Sequence, residues 1–107
     1  MTKYSELLDS IVMGNISKFK KLIATNIKPN DINLDGKGEL LFYASESENM
    51  LVIINLTKLG ADWFIKNDDG SYFIDYLSDD NKKMLSRLFP EKYKEYLIKK
   101  ETDKYNL

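Results

Sequence analysis

The sequence has 107 residues, which is the length of one modest domain. Hydrophobic residues make up 43% of it and charged residues 31%, a composition typical of water-soluble proteins with a packed apolar core. It contains no cysteine and no histidine, which excludes disulfides, thiol nucleophiles and metal sites or general bases built from those residues. No apolar run reaches the roughly 18 residues of a membrane span, and charged Glu6 and Asp9 stand where a signal peptide would be apolar. We therefore expect a cytoplasmic protein that is not an enzyme and that needs no cofactor or metal.

The net charge of −1 is unevenly distributed along the chain. Residues 1–30 carry five lysines against two carboxylates, residues 31–80 carry eleven carboxylates against three lysines, and residues 81–107 carry eight basic residues against four acidic ones. An acidic centre repels nucleic acid and attracts a basic partner. The alternative is a solvated acidic face that has no partner.

The first two predicted helices lie between residues 4 and 26. Apolar residues recur there at helical spacing: Leu7, Leu8, Ile11 and Val12, then Ile16, Phe19, Leu22 and Ile23. Gly14 separates the two helices, and Asn26 is expected to end the second one in a left-handed conformation. Residues 27–38, which include Pro29 and Gly38, are predicted to form a turn.

A second pair of helices is predicted in residues 39–48 and 49–60, and a third pair in residues 71–80 and 81–89. The β-branched run at 51–55 is compatible with a strand, but the helical periodicity around it and the terminal Gly60 favour a helix. Pro90 suits the first turn of a final helix.

The helix pairs repeat at a spacing of 33–34 residues. Asn26 aligns with Gly60 and Phe19 with Ile53 at an offset of 34. Leu41 with Ile74, Tyr43 with Tyr76 and Ser45 with Ser78 align at an offset of 33. Two offsets within one residue of each other indicate repeats.

Residues 60–78 resemble an ankyrin repeat, of the degenerate bacterial type. Gly60-Ala61-Asp62, Asp69-Gly70 and Ile74-Asp75-Tyr76-Leu77 stand at the spacing of that family's motifs. The Thr-Pro-Leu-His motif is absent, about three residues are inserted around 28–30, and the finger near Gly38 is about two residues short. The resemblance implies an all-α ankyrin-type solenoid of one domain, with repeats at 5–33, 34–66 and 67–90 and a capping helix at 90–101.

The resemblance also implies that the fingers and first helices form a concave binding surface. The acidic candidates on it are Glu39, Glu46, Asp68, Asp69, Asp75 and Asp79, and the aromatic candidates are Trp63, Phe64 and Tyr72. For Asp69 the alternative is a turn residue. Trp63 and Phe64 are equally well explained as core residues and as interface anchors. Tyr72 is the aromatic residue most expected to be exposed.

Other chemistry fits these residues less well. The sequence at 67–70 lacks the alternating ligands of a calcium loop, and no sugar-binding groove accompanies the carboxylates. The basic final helix could bind a membrane or nucleic acid, but we expect its Tyr93, Tyr96, Leu97 and Ile98 to cap the last repeat.

The expected function is to bind another protein that has a basic surface. The leading hypothesis is a bacterial or phage inhibitor, such as an immunity protein, that works as a monomer or as a heterodimer with its target and binds neither nucleic acid nor membrane. A general adaptor that mediates protein assembly is the alternative. An enzyme would need paired carboxylates in a closed cleft.

Overall fold

The computed structural model describes residues 2–33 and 38–104, and over these ranges the chain is all-helical, as the sequence predicts. The elements are α1 (Lys3–Val12), α2 (Ile16–Ile23), α3 (Pro29–Ile32), α4 (Glu39–Glu46), α5 (Met50–Lys58), a 3₁₀ turn (Phe73–Tyr76), α6 (Asp79–Leu88) and α7 (Pro90–Asp103). The run at 51–55 lies in α5, so the strand alternative is wrong. Residues 34–37, with which the second predicted repeat begins, lie outside the described residues. None of the described helices is both long and apolar enough to cross a membrane.

Three N-terminal caps repeat along the chain. The side chains of Asn15, Asn49 and Ser78 each accept a hydrogen bond from the backbone N–H three residues later, at 3.1, 3.3 and 3.3 Å. Each cap satisfies a backbone donor that has no partner within its helix. Gly14 and Glu48, the residues before the first two caps, both have left-handed backbones, with φ of 67° and 50°. The spacing of 34 residues is therefore a repeat of local structure in the first two pairs.

Within the first two pairs each helix packs against its partner, and the first helices also pack against the first helix of the adjacent pair. α1 packs against α2 and α4, α4 packs against α5 and the 3₁₀ turn, and α6 packs against α7. This order places the first helices of successive pairs side by side. Whether the pairs form an ankyrin solenoid with the expected repeat boundaries stays a prediction.

The third pair departs from the predicted pattern. One helix is expected in residues 71–80, but the 3₁₀ turn covers only Phe73–Tyr76, Leu77 is extended, and Asp79 and Asp80 already belong to α6. The cap Ser78 comes 29 residues after Asn49 instead of 34, so five residues are lost from the first helix of this pair. The sequence alignment of Ser45 with Ser78 is therefore wrong as a structural equivalence.

Two details of the first pair also differ. Asn26 does not end α2 in a left-handed conformation, because the helix already ends at Ile23 with a right-handed cap at Ala24. Residues 27–38 are predicted to form a turn, and within them Pro29–Ile32 form the single helical turn α3. The Asn33 side chain after α3 donates to the Gly60 carbonyl at 2.9 Å and accepts from the Asp62 N–H at 3.0 Å. Asn33 thus ties the segment after α3 to the end of α5.

The core of the second half is centred on Trp63, which is 1% exposed. Its ring meets Phe73 and Phe89 edge-on, with ring centroids 5.5 and 5.8 Å apart. The indole N–H donates to the buried Thr57 hydroxyl at 2.8 Å. Of the two explanations for Trp63, the structure supports the core residue.

α7 covers the 3₁₀ turn at the end of the chain. Tyr96 is 5% exposed and meets Tyr72 edge-on, with ring centroids 5.8 Å apart. Leu97 and Ile98, which were expected to help cap the last repeat, are more than half exposed, so that part of the expectation is wrong. They follow Tyr96 on the helix and therefore point away from the face that packs.

Candidate functional site

A groove of about 660 Å³ runs between α4, the loop at residues 65–70 and the 3₁₀ turn. We call it the acidic groove. Its described lining residues are Glu39, Phe42, Tyr43, Glu46, Ile65, Lys66, Asn67, Asp68, Asp69 and Tyr76.

α4 supplies one wall of the acidic groove. Glu39, Tyr43 and Glu46 are spaced by four and three residues, so they form one stripe along the helix. Leu40, Leu41 and Ala44 on the other side of α4 are buried in the core. Packing of this apolar side therefore fixes the direction of the stripe. The Tyr4 hydroxyl donates to Glu39 Oε2 at 2.9 Å, which holds the first carboxylate against α1.

The loop at 65–70 supplies the second wall, and Asn67 organises it. Its side-chain oxygen accepts from the backbone N–H groups of Asp69 and Ser71 at 3.1 and 2.9 Å. Its carbonyl accepts from the Gly70 N–H at 2.9 Å, and Gly70 has the left-handed φ of 76° that such a turn requires. Asp68 and Asp69 are therefore held exposed at the tip of a structured turn.

Tyr76 closes the third side of the groove. Asn67 Nδ2 donates to its hydroxyl oxygen at 2.7 Å, and Phe42 meets its ring edge-on at a centroid distance of 6.2 Å. The ring is thus held both by its hydroxyl and by the T-shaped contact with Phe42. Tyr76 and Tyr43 nevertheless remain 45% and 42% exposed, so both present aromatic surface to a ligand.

The charged side chains of the groove that have no partner among the described residues are negative. Four of its described lining residues carry carboxylates, and Lys66 is the only cation among them. The Lys66 ammonium lies 3.0 Å from Asp103 Oδ2 at the end of α7. The hydrogen bond between them raises the pKa of Lys66 and lowers the pKa of Asp103. Within the described residues, the carboxylates of Glu46, Asp68 and Asp69 make no hydrogen bond or ion pair.

Four of the nine predicted partner-binding residues line this groove: Glu39, Glu46, Asp68 and Asp69. The expectation that Tyr72 is exposed is wrong, because α7 covers it and leaves it 3% exposed. Trp63 is in the core and is likewise not accessible. Phe64 is half-buried, with Lys99 Nζ of α7 5.2 Å from the centre of its ring.

Asp75 and Asp79 also lie elsewhere than expected. Asp75 accepts from the Tyr72 N–H at 2.8 Å and from the Tyr96 hydroxyl, and it lies 3.3 Å from Lys100 Nζ. Its carboxylate therefore joins the 3₁₀ turn to α7 and does not face the groove. Asp79 is exposed but begins α6, whereas the sequence placed it on the first helix of the third pair.

Sequence reasoning did not assign Tyr43, Tyr76, Asn67 or Lys66 to the binding surface. One signal was available, because the sequence alignment at an offset of 33 residues pairs Tyr43 with Tyr76. The alternation of Glu39, Tyr43 and Glu46 at helical spacing was a second signal. The contact of Lys66 with Asp103 joins residues 37 positions apart and has no local signature.

The acidic groove combines carboxylate oxygens with exposed phenol rings, which suits it to binding cationic groups. Across the described ranges, no group of three or more carboxylates is placed to hold a metal ion. No family model, curated protein or solved structure matches this chain.

Proposed function

We propose that this chain is a non-enzymatic binding module that recognises a basic protein through the acidic groove. The observation that carries the proposal is the state of the charges there. Three exposed carboxylates have no partner among the described residues, while Lys66 is occupied by Asp103. A groove of that sign raises the rate of encounter with a basic protein through long-range attraction.

We further propose that the partner is a bacterial or phage toxin, such as a nuclease, which this protein neutralises as an immunity protein does. A nuclease that binds a polyanion carries a basic surface. An inhibitor with an acidic face matches that surface and blocks it at the same time. An ankyrin-type stack, if the pairs form one, would present such a face as a continuous wall.

Partner capture with charge-reversal variants tests this proposal. We expect wild-type protein to co-purify with a basic partner from its native host, and Asp68→Lys and Glu46→Lys to lose it. Asp9→Lys is the matched control, since Asp9 is exposed on α1 and does not line the groove. Equal capture by all four proteins would exclude the groove as the binding surface.

A growth assay separates the inhibitor from the adaptor. The captured partner is expressed alone and then together with this protein. An inhibitor predicts that growth stops in the first case and recovers in the second. Normal growth with the partner alone would favour the adaptor.

A further inference from the structure

The aromatic walls of the acidic groove point to a more specific ligand than positive charge alone. Tyr43 and Tyr76 expose nearly half of their surface beside carboxylates that have no partner among the described residues. Long-range attraction of positive charge needs only the carboxylates, so the phenol rings add a second, short-range contribution to binding. The combination of ring faces and free carboxylates discriminates between the two basic side chains.

Both basic side chains can interact with a ring and a carboxylate, but arginine fits this lining better than lysine does. A guanidinium is planar, stacks on an aromatic face and pairs with a carboxylate through two parallel hydrogen bonds. An ammonium is a strongly hydrated point charge with no planar face. Tyr43 and Glu46 are three residues apart on α4, so a ring and a carboxylate are neighbours on one helix face.

The Tyr76 ring in the groove is also preorganised for stacking in the absence of a ligand. Asn67 holds the Tyr76 hydroxyl at 2.7 Å, and Phe42 packs against the Tyr76 ring in a T-shaped contact. A ring that is already fixed loses little side-chain entropy when a guanidinium stacks on it. The volume of about 660 Å³ lies within the roughly 300–1,000 Å³ of ligand sites, so it has room for several side chains.

We infer that the acidic groove binds an arginine-bearing segment of the partner protein and selects arginine over lysine. This inference rests on the proposed function and names the chemistry that the partner must present. Glu46, Asp68 and Asp69 pair with the guanidinium groups, and Tyr43 and Tyr76 provide the faces on which they stack.

Two peptides of equal length and charge test the inference, one with four arginines and the other with lysine at the same four positions. Their affinities are measured by calorimetry at physiological salt. We expect the arginine peptide to bind roughly fivefold to tenfold more tightly, from one or two stacked guanidinium groups. Glu46→Gln should weaken it severalfold, whereas Glu95→Gln, which removes the same charge from an exposed site on α7, should leave it unchanged.

The tyrosines are tested separately from the charges. Tyr76→Leu and Tyr43→Leu should each reduce the preference for arginine, while Tyr76→Phe, which keeps the ring, should retain most of it. Both positions are partly exposed, so one variant remains informative if the other does not fold.

Equal affinity for the two peptides would overturn the selection of arginine and leave the proposed basic partner intact. Absence of binding to both peptides would also overturn this inference. The proposed function would then still be judged by capture of the whole partner and its sensitivity to Asp68→Lys.

Discussion

The Glu48 carboxylate accepts hydrogen bonds from the backbone N–H of Ser78 and from Nδ2 of Asn81. It thereby joins the turn between α4 and α5 to the N-terminus of α6. Glu48 has a left-handed backbone where the first pair has Gly14, a conformation that costs a non-glycine residue about 1–2 kcal/mol. The carboxylate offsets part of this cost because it accepts from the Ser78 N–H at the N-terminus of α6, a hydrogen bond that a glycine could not make.

This contact predicts a specific loss of stability in acid. The hydrogen bond from the Ser78 N–H lowers the pKa of Glu48 from its ordinary 4.5. A group with a lowered pKa stabilises the fold above its unfolded pKa, and the stabilisation is lost as pH falls through the folded value. Below pH 4.5, the melting temperature of wild type should therefore fall more steeply than that of Glu48→Gln. Circular dichroism melts across this range test it, and parallel acid profiles would contradict it.

Gly60 and Gly70 form a matched pair for testing packing. Both have left-handed backbones, with φ of 98° and 76°. A Cβ on Gly60 would lie 2.8 Å from Pro29 Cγ of α3, whereas one on Gly70 would have no atom within 4 Å. Gly70→Ala should cost about 1–2 kcal/mol of unfolding free energy from backbone strain alone. Gly60→Ala should cost about 2–4 kcal/mol because overpacking adds to it. Urea denaturation measures both, and equal losses would mean that α3 moves away freely.

We predict that the Thr57 hydroxyl stabilises the fold mainly by accepting the hydrogen bond from the Trp63 indole N–H. Thr57→Val leaves the buried indole N–H without an acceptor, which should cost about 1–3 kcal/mol. In a Trp63→Phe background there is no N–H to satisfy, so the same substitution should cost less. A double-mutant cycle by urea denaturation gives the coupling. Additive effects would show that the hydroxyl acts only through its second hydrogen bond, to the Ile53 carbonyl.

Tyr96 predicts a loss of stability in alkali. Burial, followed by its hydrogen bond to Asp75, raises the pKa of Tyr96 well above its ordinary 10.0. Its contribution is therefore complete below the unfolded pKa and is lost as pH rises above 10. Tyr96→Phe should lower stability at neutral pH and flatten the decline above pH 10. Urea denaturation at several pH values tests this. A decline as steep in the variant as in wild type would assign it to other groups.

We predict that Asp103, at the end of α7, strengthens the binding of basic ligands to the groove because it pairs with Lys66. Asp103→Asn releases the Lys66 ammonium, which can then screen Asp68 and Asp69, so a basic peptide should bind roughly twofold to threefold more weakly. Lys66→Gln should have the opposite effect. Glu101→Gln is the control, because it removes the same charge on α7 from a pair with Lys104. If Asp103→Asn and Glu101→Gln weaken binding equally, the effect is one of net charge only.

The helices of the first two pairs could be predicted because their apolar residues recur at helical spacing. The 3₁₀ turn could not be predicted, because the sequence motif around Ile74 is compatible both with a single turn and with a whole helix. The first helix of the third pair is short because Ser78, the N-cap of α6, comes five residues sooner in its pair than Asn49, the N-cap of α5, does in the second pair.

The candidate site was predicted in part for a similar reason. Positions on a helix face, such as Glu39 and Glu46, follow from periodicity. The burial of Tyr72 and the engagement of Asp75 depend on α7, which returns across the 3₁₀ turn from more than twenty residues away. Local pattern carries no information about such a return.

Trp63 is the only tryptophan in the chain, and it lies where α5, the 3₁₀ turn and the residue between α6 and α7 meet. The protein therefore contains a single indole, which can be excited selectively over its seven tyrosines and whose emission reports on the docking of the second half. Trp63 does not line the acidic groove. A change in the emission of Trp63 when a partner binds would thus show that binding alters the packing of the core. An unchanged spectrum would indicate that the groove binds its partner as a rigid surface.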